Sequence, residues 1–365
     1  MASAIPLGLF ILWAIFQSGL LQIGDTTGLV AGMLVSLVIG MFFVKGSWAG
    51  YANTIFEGMT QRVAATAIVA WLWAGMFSQV LQDGAFVQGL FWAAEVLKVT
   101  PELFPAITFI LAGLLATGIG TGYGTVILFT GLFFPAGVLI GANPVLLFGA
   151  ILSGAVFGDN LAPVSDTTIV SAVTQNSDIG GVVASRFKYA IIAAILAFVT
   201  YIVFGFLLPS ASTVGAIPDD FSGTPYGLVH VVAIAIVIAA AVRGRHIVEA
   251  ISWGILSAVA FNLVFGLSSV ADILVFKAPE SLPAAQSLAW LPFVNLVPAA
   301  DTGVGGSLYQ GAFGFFPLIV LTLLIVAGAR IMIRGGGFEA MQNWLLNSVA
   351  TNVTRAETTM VLGTG

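Results

Sequence analysis

The stretch GAVFGDNLAPVSDTTIVSAV, residues 154–173, sets Asp159, Asn160, Ser165, Asp166, Thr167 and Thr168 between two apolar runs. Its surroundings decide how unusual that is. Of 365 residues, 59% are hydrophobic and only 7% are charged, and the mean hydropathy is +1.07. Soluble domains carry roughly 25% charged residues, so this chain cannot cover a globular surface with polar groups. Its apolar runs reach or approach the ~20 residues that cross a bilayer as a helix. The composition specifies a polytopic membrane protein, and the apolar runs give it an all-α fold class; the expected location is the plasma (cell inner) membrane. In such a protein a carboxylate at a helix centre costs about 2.5–3.5 kcal/mol on insertion scales. Two of them lie in this one stretch.

Apolar segments fall near 5–23, 27–44, 63–81, 103–120, 125–142, 144–158, 189–208, 226–242, 247–268 and 315–333. GAFVQGLFWAAEVL (84–97) is shorter, carries Glu95 and reads as an interfacial or re-entrant helix. Together these give about 10–11 spans. No basic residue precedes Lys45, so the first segment lacks the flank of a signal peptide and reads as a retained span. Basic residues gather at Lys45/Arg62, Arg186/Lys188, Arg243/Arg245 and Arg330/Arg334, and the loops between them are acidic. Cytoplasmic loops carry the excess of Lys and Arg, which places the amino terminus in the cytoplasm. The chain has no cysteine, which removes disulfides and thiolate chemistry. The net charge of −5 is diffuse, so nucleic acid is not an expected partner. No cofactor is implied.

Two places break the helical pattern. In ATGIGTGYGT (116–125), Gly118, Gly120, Gly122 and Gly124 each forfeit roughly 1 kcal/mol relative to alanine in a helix. In the opening stretch, Pro163 clashes with the carbonyl of Asp159 four residues back and frees it. Backbone at membrane depth leaves the helix only where protein buries it or a wet cavity receives it. Paired broken helices mark the binding site in many transporters, and crowded carboxylate, amide and hydroxyl oxygens suit a hard cation. The alternative is an extramembrane turn over 158–167, with Asp166 as a simple helix cap.

FGDNLAPVSDTT resembles the signature of the NhaC-type sodium/proton antiporter family, which has a Gly-Asp, a nearby Pro and Ser-Asp-Thr-Thr at this spacing. ATGIGTGYGT is similar to the family's upstream glycine-threonine motif, with Tyr123 where a tryptophan is usual. The resemblance covers roughly residues 56–208 well and the remainder in hydropathy. It implies a secondary transporter with inverted repeats, exchanging sodium for protons by competition at intramembrane aspartates, and not an enzyme. Asp159, Asn160, Ser165, Asp166, Thr167 and Thr168 become ion-site residues, with sodium on Asp159 and Asp166. Thr117, Thr121 and Thr125 are candidates across the site. The same resemblance leaves open a sodium- or proton-coupled exchanger of an organic acid or amino acid. The expected partners are sodium, protons, the lipid bilayer and a second copy of the chain.

FEGM (56–59) recurs as FEAM (338–341), each after a basic loop. The expected organisation is a two-span segment 1–55, a first repeat 56–215, connecting spans 216–337, and the start of a second repeat 338–365, truncated in mid-span. Other signals read as background. TGYG (121–124) matches a potassium-filter motif, but a passive channel subunit would be far more compact than this chain. GIGTGYG contains a dinucleotide glycine pattern without the strand that must precede it. An intramembrane aspartyl protease would need Tyr-Asp and Gly-x-Gly-Asp on separate helices. His246 and Glu249 belong to a basic loop, His230 reads as a solvated histidine near the outer end of its span, and Asn262 as a helix-to-helix hydrogen bond. Glu57 and Glu339 are expected to pair at the surface, and Trp71 and Trp73 to pack within a span.

Overall fold

The computed structural model describes residues 2–43, 46–119, 122–162, 165, 168, 179–209, 223–243 and 245–348. Helix α1 (Ile5–Ala14) continues into a wider π turn over Ile15–Leu20, followed by α2 (Thr26–Phe43) and α3 (Trp48–Met59). Next come α4 (Arg62–Asp83), α5 (Phe86–Val96), α6 (Phe104–Ile119), α7 (Gly122–Ile140), α8 (Pro144–Leu161) and α9 (Ile179–Leu207). After them lie α10 (His230–Val242), α11 (Ile247–Val264), α12 (Ser307–Gly314), α13 (Phe316–Arg334) and α14 (Gly337–Ser348). Among the described residues, six helical segments are long and apolar enough to cross a membrane, and three apolar helices are shorter. The fold is that of a polytopic helical membrane protein.

Helix starts follow ordinary capping chemistry. Asp25 accepts from the N–H groups of Thr27 and Gly28 at 2.9 and 3.0 Å ahead of α2, and the Thr27 N–H leads in holding its carboxyl below the usual range. Asn143 accepts from Leu146 N–H at 3.1 Å, and Pro144 fills the first position of α8, where a missing N–H does no harm. α9 begins ten residues ahead of the apolar onset at 189, so Arg186 and Lys188 lie on the helix and not in a loop.

The chain forms two compact units, residues 1–68 with 315–365, and residues 69–314. In the first, Met33, Leu37, Leu321, Leu324 and Ile331 make the core. Gly58 lets α3 approach α13 so closely that a Cβ there would sit 2.5 Å from Ala327 Cα. Glu57 pairs with Arg334 at 2.7 Å and Arg330 at 3.5 Å, as expected for a surface pair. Glu339 has no ion pair among the described residues. FEGM closes α3 whereas FEAM opens α14, so the two matches stand at opposite ends of their helices.

In the second unit Phe77, Leu81, Phe86, Leu115, Leu132, Phe133, Leu147 and Ile151 form the core. Trp73 packs against it and donates to Ser252 Oγ at 3.0 Å. Beyond α11 lies a feature that hydropathy passes over, a small sheet of β1 (Val275–Pro279), β2 (Val294–Val297) and β3 (Gly303–Gly305). β1 is central, parallel to β2 and antiparallel to β3.

His230 departs from its expected place in solvent: it is completely buried. Its ring sits 6.4 Å from that of Phe86 and 6.5 Å from that of Phe261. The cause is Gly84 at the end of α4, where any Cβ would collide with His230 Nε2 and Asn262 Oδ1. The missing side chain makes room for both. Asn262, also fully buried, donates to the Val80 carbonyl at 3.0 Å and ties α11 to α4, as the sequence predicts.

Candidate functional site

The glycines of GAVFG (154–158) set the geometry around Asp159. Small residues four apart let helix backbones close in. A Cβ on Gly154 would sit 2.5 Å from the Phe109 carbonyl oxygen, and one on Gly158 would strike the Gly113 carbonyl and lie 2.6 Å from Ala116 Cβ. These contacts advance together along both chains, so α6 and α8 run parallel. α7 returns antiparallel alongside both: a Cβ on Gly137 would meet Phe104 at the far end, whereas Gly122 lies beside Ala155 and Asp159 at the near end.

The consequence is a junction. The end of α6, the start of α7 and the end of α8 lie at one level. A Cβ on Gly122 would stand 3.5 Å from Asp159 Cβ and 3.7 Å from its carboxyl carbon. Gly122 is the first described residue of a 19-residue helix, and the positive dipole end of a helix favours an anion. The glycine motif and Asp159, distant along the chain, are thus neighbours.

Helix α8 stops at Leu161. Ala162 is extended, and its N–H is shared between the carbonyls of Gly158 at 3.0 Å and Asp159 at 3.3 Å. The Asp159 carbonyl expected to be free therefore receives one long bond. Ser165 N–H bonds back to the Ala162 carbonyl at 3.2 Å. Ser165 and Thr168 are 1% and 0% exposed, and Thr168 Oγ1 has no hydrogen-bond partner among the described residues.

The other expected site residues divide. Asp159 is half-buried at the junction. Asn160 is exposed, on the face of α8 away from Gly154 and Gly158, and its amide donates to the Val156 carbonyl at 3.0 Å. Thr117 Oγ1 donates to Gly113 O at 2.8 Å within α6, and Thr125 is fully buried in α7. Tyr123 points outward. Asp166, Thr167 and Thr121 lie outside the described residues, so the junction as described holds one of the two carboxylates assigned to sodium. No group of three His, Asp or Glu side chains converges among the described residues. Two further residues carry no motif and hold these helices in place: Gly113, which admits Gly158, and Tyr201 of α9, whose hydroxyl lies 2.7 Å from Ser153 Oγ on α8. A small-xxx-small reading of 154–158 would have found the first.

In sequence the chain is similar to several antiporters. The chain is 25% identical over 203 residues to the malate-2H(+)/Na(+)-lactate antiporter of Bacillus subtilis, covering 56% of this chain and 42% of that protein. It is 23% identical over 265 residues to the arginine/ornithine antiporter ArcD of Halobacterium salinarum, covering 64% and 54%. To the Na(+)/H(+) antiporter NhaC of Alkalihalophilus pseudofirmus it is 25% identical over 162 residues, covering 44% and 34%. The matched part thus spans about a third to a half of these relatives. No solved structure matches the chain. The profile of the Na+/H+ antiporter family matches residues 1–206, more than half of the chain and all of the α6–α8 junction. This chain belongs to the Na+/H+ antiporter family.

Proposed function

We propose that the protein is a secondary active transporter that exchanges sodium for protons, with Asp159 at the α6–α7–α8 junction as a shared ion site. One observation carries the reading: a carboxylate in an apolar helix bundle faces the start of α7 where α8 gives up its helix. A carboxylate with hydroxyl oxygens close in sequence suits a hard cation, and interrupted helices hold such sites in many transporters. Asp166 and Thr167, a few residues on in the sequence, are assigned to the same site, and Ser165 and Thr168, their sequence neighbours, are buried. The exposed Asn160 fits a role at an entrance better than one in the innermost shell. Basic loops on the cytoplasmic side and an inside amino terminus complete the orientation.

Sodium and protons compete for the same oxygens, so binding one weakens the other by the same factor. Exchange follows if the site reorients when neutralised by either ion and not when bare and negative. A second reading, exchange of an organic acid or amino acid coupled to sodium or protons, is favoured by the malate/lactate and arginine/ornithine antiporters among the relatives. Reconstitution of the full-length protein in vesicles with a pH dye separates the two. Sodium alone should drive proton countermovement. A requirement for lactate, malate, arginine or ornithine would select the second reading, and sodium flux with neither proton movement nor a requirement for any such solute would reject both.

A further inference from the structure

Away from the junction, a cleft of about 380 Å3 opens where α10 ends and α11 begins. Ile236, Ala239 and Ala240 of α10 and Trp253 of α11 make its apolar wall, with Arg243 and Arg245 at its rim. Trp253 is 54% exposed. The Arg243 guanidinium donates only to the Ala239 carbonyl, at 3.3 Å, and has no carboxylate partner among the described residues. Arg245 shares Glu249 at 3.3 Å, and both side chains are largely open to solvent. The rim therefore carries two guanidinium groups against one carboxylate.

A ligand for this cleft must satisfy a cation at one end and an oily wall at the other. Inorganic phosphate would use the arginines and gain nothing from Trp253 or Ile236. A zwitterionic lipid would use the wall and offer no net charge. A basic pocket between spanning helices suits the head group of an anionic lipid, tryptophan favours the headgroup level of a bilayer, and arginine lays its stem on apolar surface with its charge in water. A second cleft, about 250 Å3 in the first unit, lacks the open charge: its Arg334 is occupied by Glu57 at 2.7 Å and Thr54 at 3.2 Å.

We propose that the α10–α11 cleft binds an anionic phospholipid, its phosphate between Arg243 and Arg245 and an acyl chain along Trp253 and Ile236. The test is lipid retention by the intact protein, measured by native mass spectrometry after reconstitution in phosphatidylcholine with phosphatidylglycerol. The protein should retain phosphatidylglycerol over phosphatidylcholine. Arg243→Gln with Arg245→Gln should lower that retention at least tenfold, since each basic residue at an anionic surface accounts for about fivefold. Trp253→Phe should remove one component of fluorescence quenching by brominated phosphatidylglycerol, which reads the wall without touching the arginines. Lys188→Gln, an exposed basic residue elsewhere, should change neither readout. Equal retention by the double variant, equal loss in Lys188→Gln, or displacement of the lipid by inorganic phosphate would each overturn the assignment.

Discussion

Two buried polar clusters in the 69–314 unit answer the same problem in opposite ways. At the junction, α8 ends at Leu161 and α7 starts at Gly122, so Asp159 faces a helix terminus. His230 also stands at a helix start, the first residue of α10, and Gly84 beside it follows the end of α4, but there Phe86 and Phe261 flank the imidazole and the Asn262 amide donates to the Val80 carbonyl. The difference lies in what surrounds the polar group. A carboxylate among small residues and hydroxyls can trade partners with an ion, whereas an imidazole and an amide enclosed by aromatic rings dock helices. Neither polarity inside a membrane nor a nearby helix end is therefore enough to identify a transport site.

That contrast can be broken by mutation. The largest effect is expected for Asp159→Asn and Asp166→Asn, because an amide keeps the shape but cannot exchange a proton. Each should reduce sodium-driven proton flux in vesicles to background while the protein still purifies folded. Gly158→Ala comes next. Its methyl would meet the Gly113 carbonyl and Ala116, and overpacking of this kind costs about 1–3 kcal/mol. It should lower thermal stability and, by moving α8 off α6, slow exchange as well.

Asn262→Ala should cost less, about 0.6–1.7 kcal/mol for an interhelical hydrogen bond in a membrane, with the sodium dependence of flux unchanged. A loss of coupling as severe as in Asp159→Asn would erase the distinction between the clusters. The smallest effect belongs to Glu57→Gln. Glu57 and its arginines are 38–54% exposed, and such pairs contribute about 0–1 kcal/mol. Thermal unfolding of the purified variant should barely move.

Much of this was legible in the residues. Hydropathy placed the spans because a bilayer enforces helix length, and the expected segments 125–142 and 315–333 agree with Gly122–Ile140 and Phe316–Arg334 to within three residues. The end of α8 ahead of Pro163 was legible because proline acts locally, whereas Gly118, Gly122 and Gly124 stand inside helices and Gly120 and Thr121 lie outside the described residues. The approach of α6 to α8 was not legible, since it depends on Gly154 and Gly158 meeting residues 45 positions away. Nor was the burial of His230. Its position near a span end pointed to water, and only the bare backbone of Gly84 makes room for it inside. The three short strands escaped because runs of three to five residues carry no usable periodicity.

The central claim, that sodium and protons share the oxygens around Asp159, is tested most directly by the sodium dependence of proton flux across a pH series. In vesicles holding the full-length protein, half-saturating sodium should rise as pH falls, by up to about tenfold per pH unit for each proton displaced. Asp159→Asn should show no sodium-driven flux at any pH. A half-saturating sodium concentration that stays constant across the series, or normal flux in Asp159→Asn, would contradict a shared site.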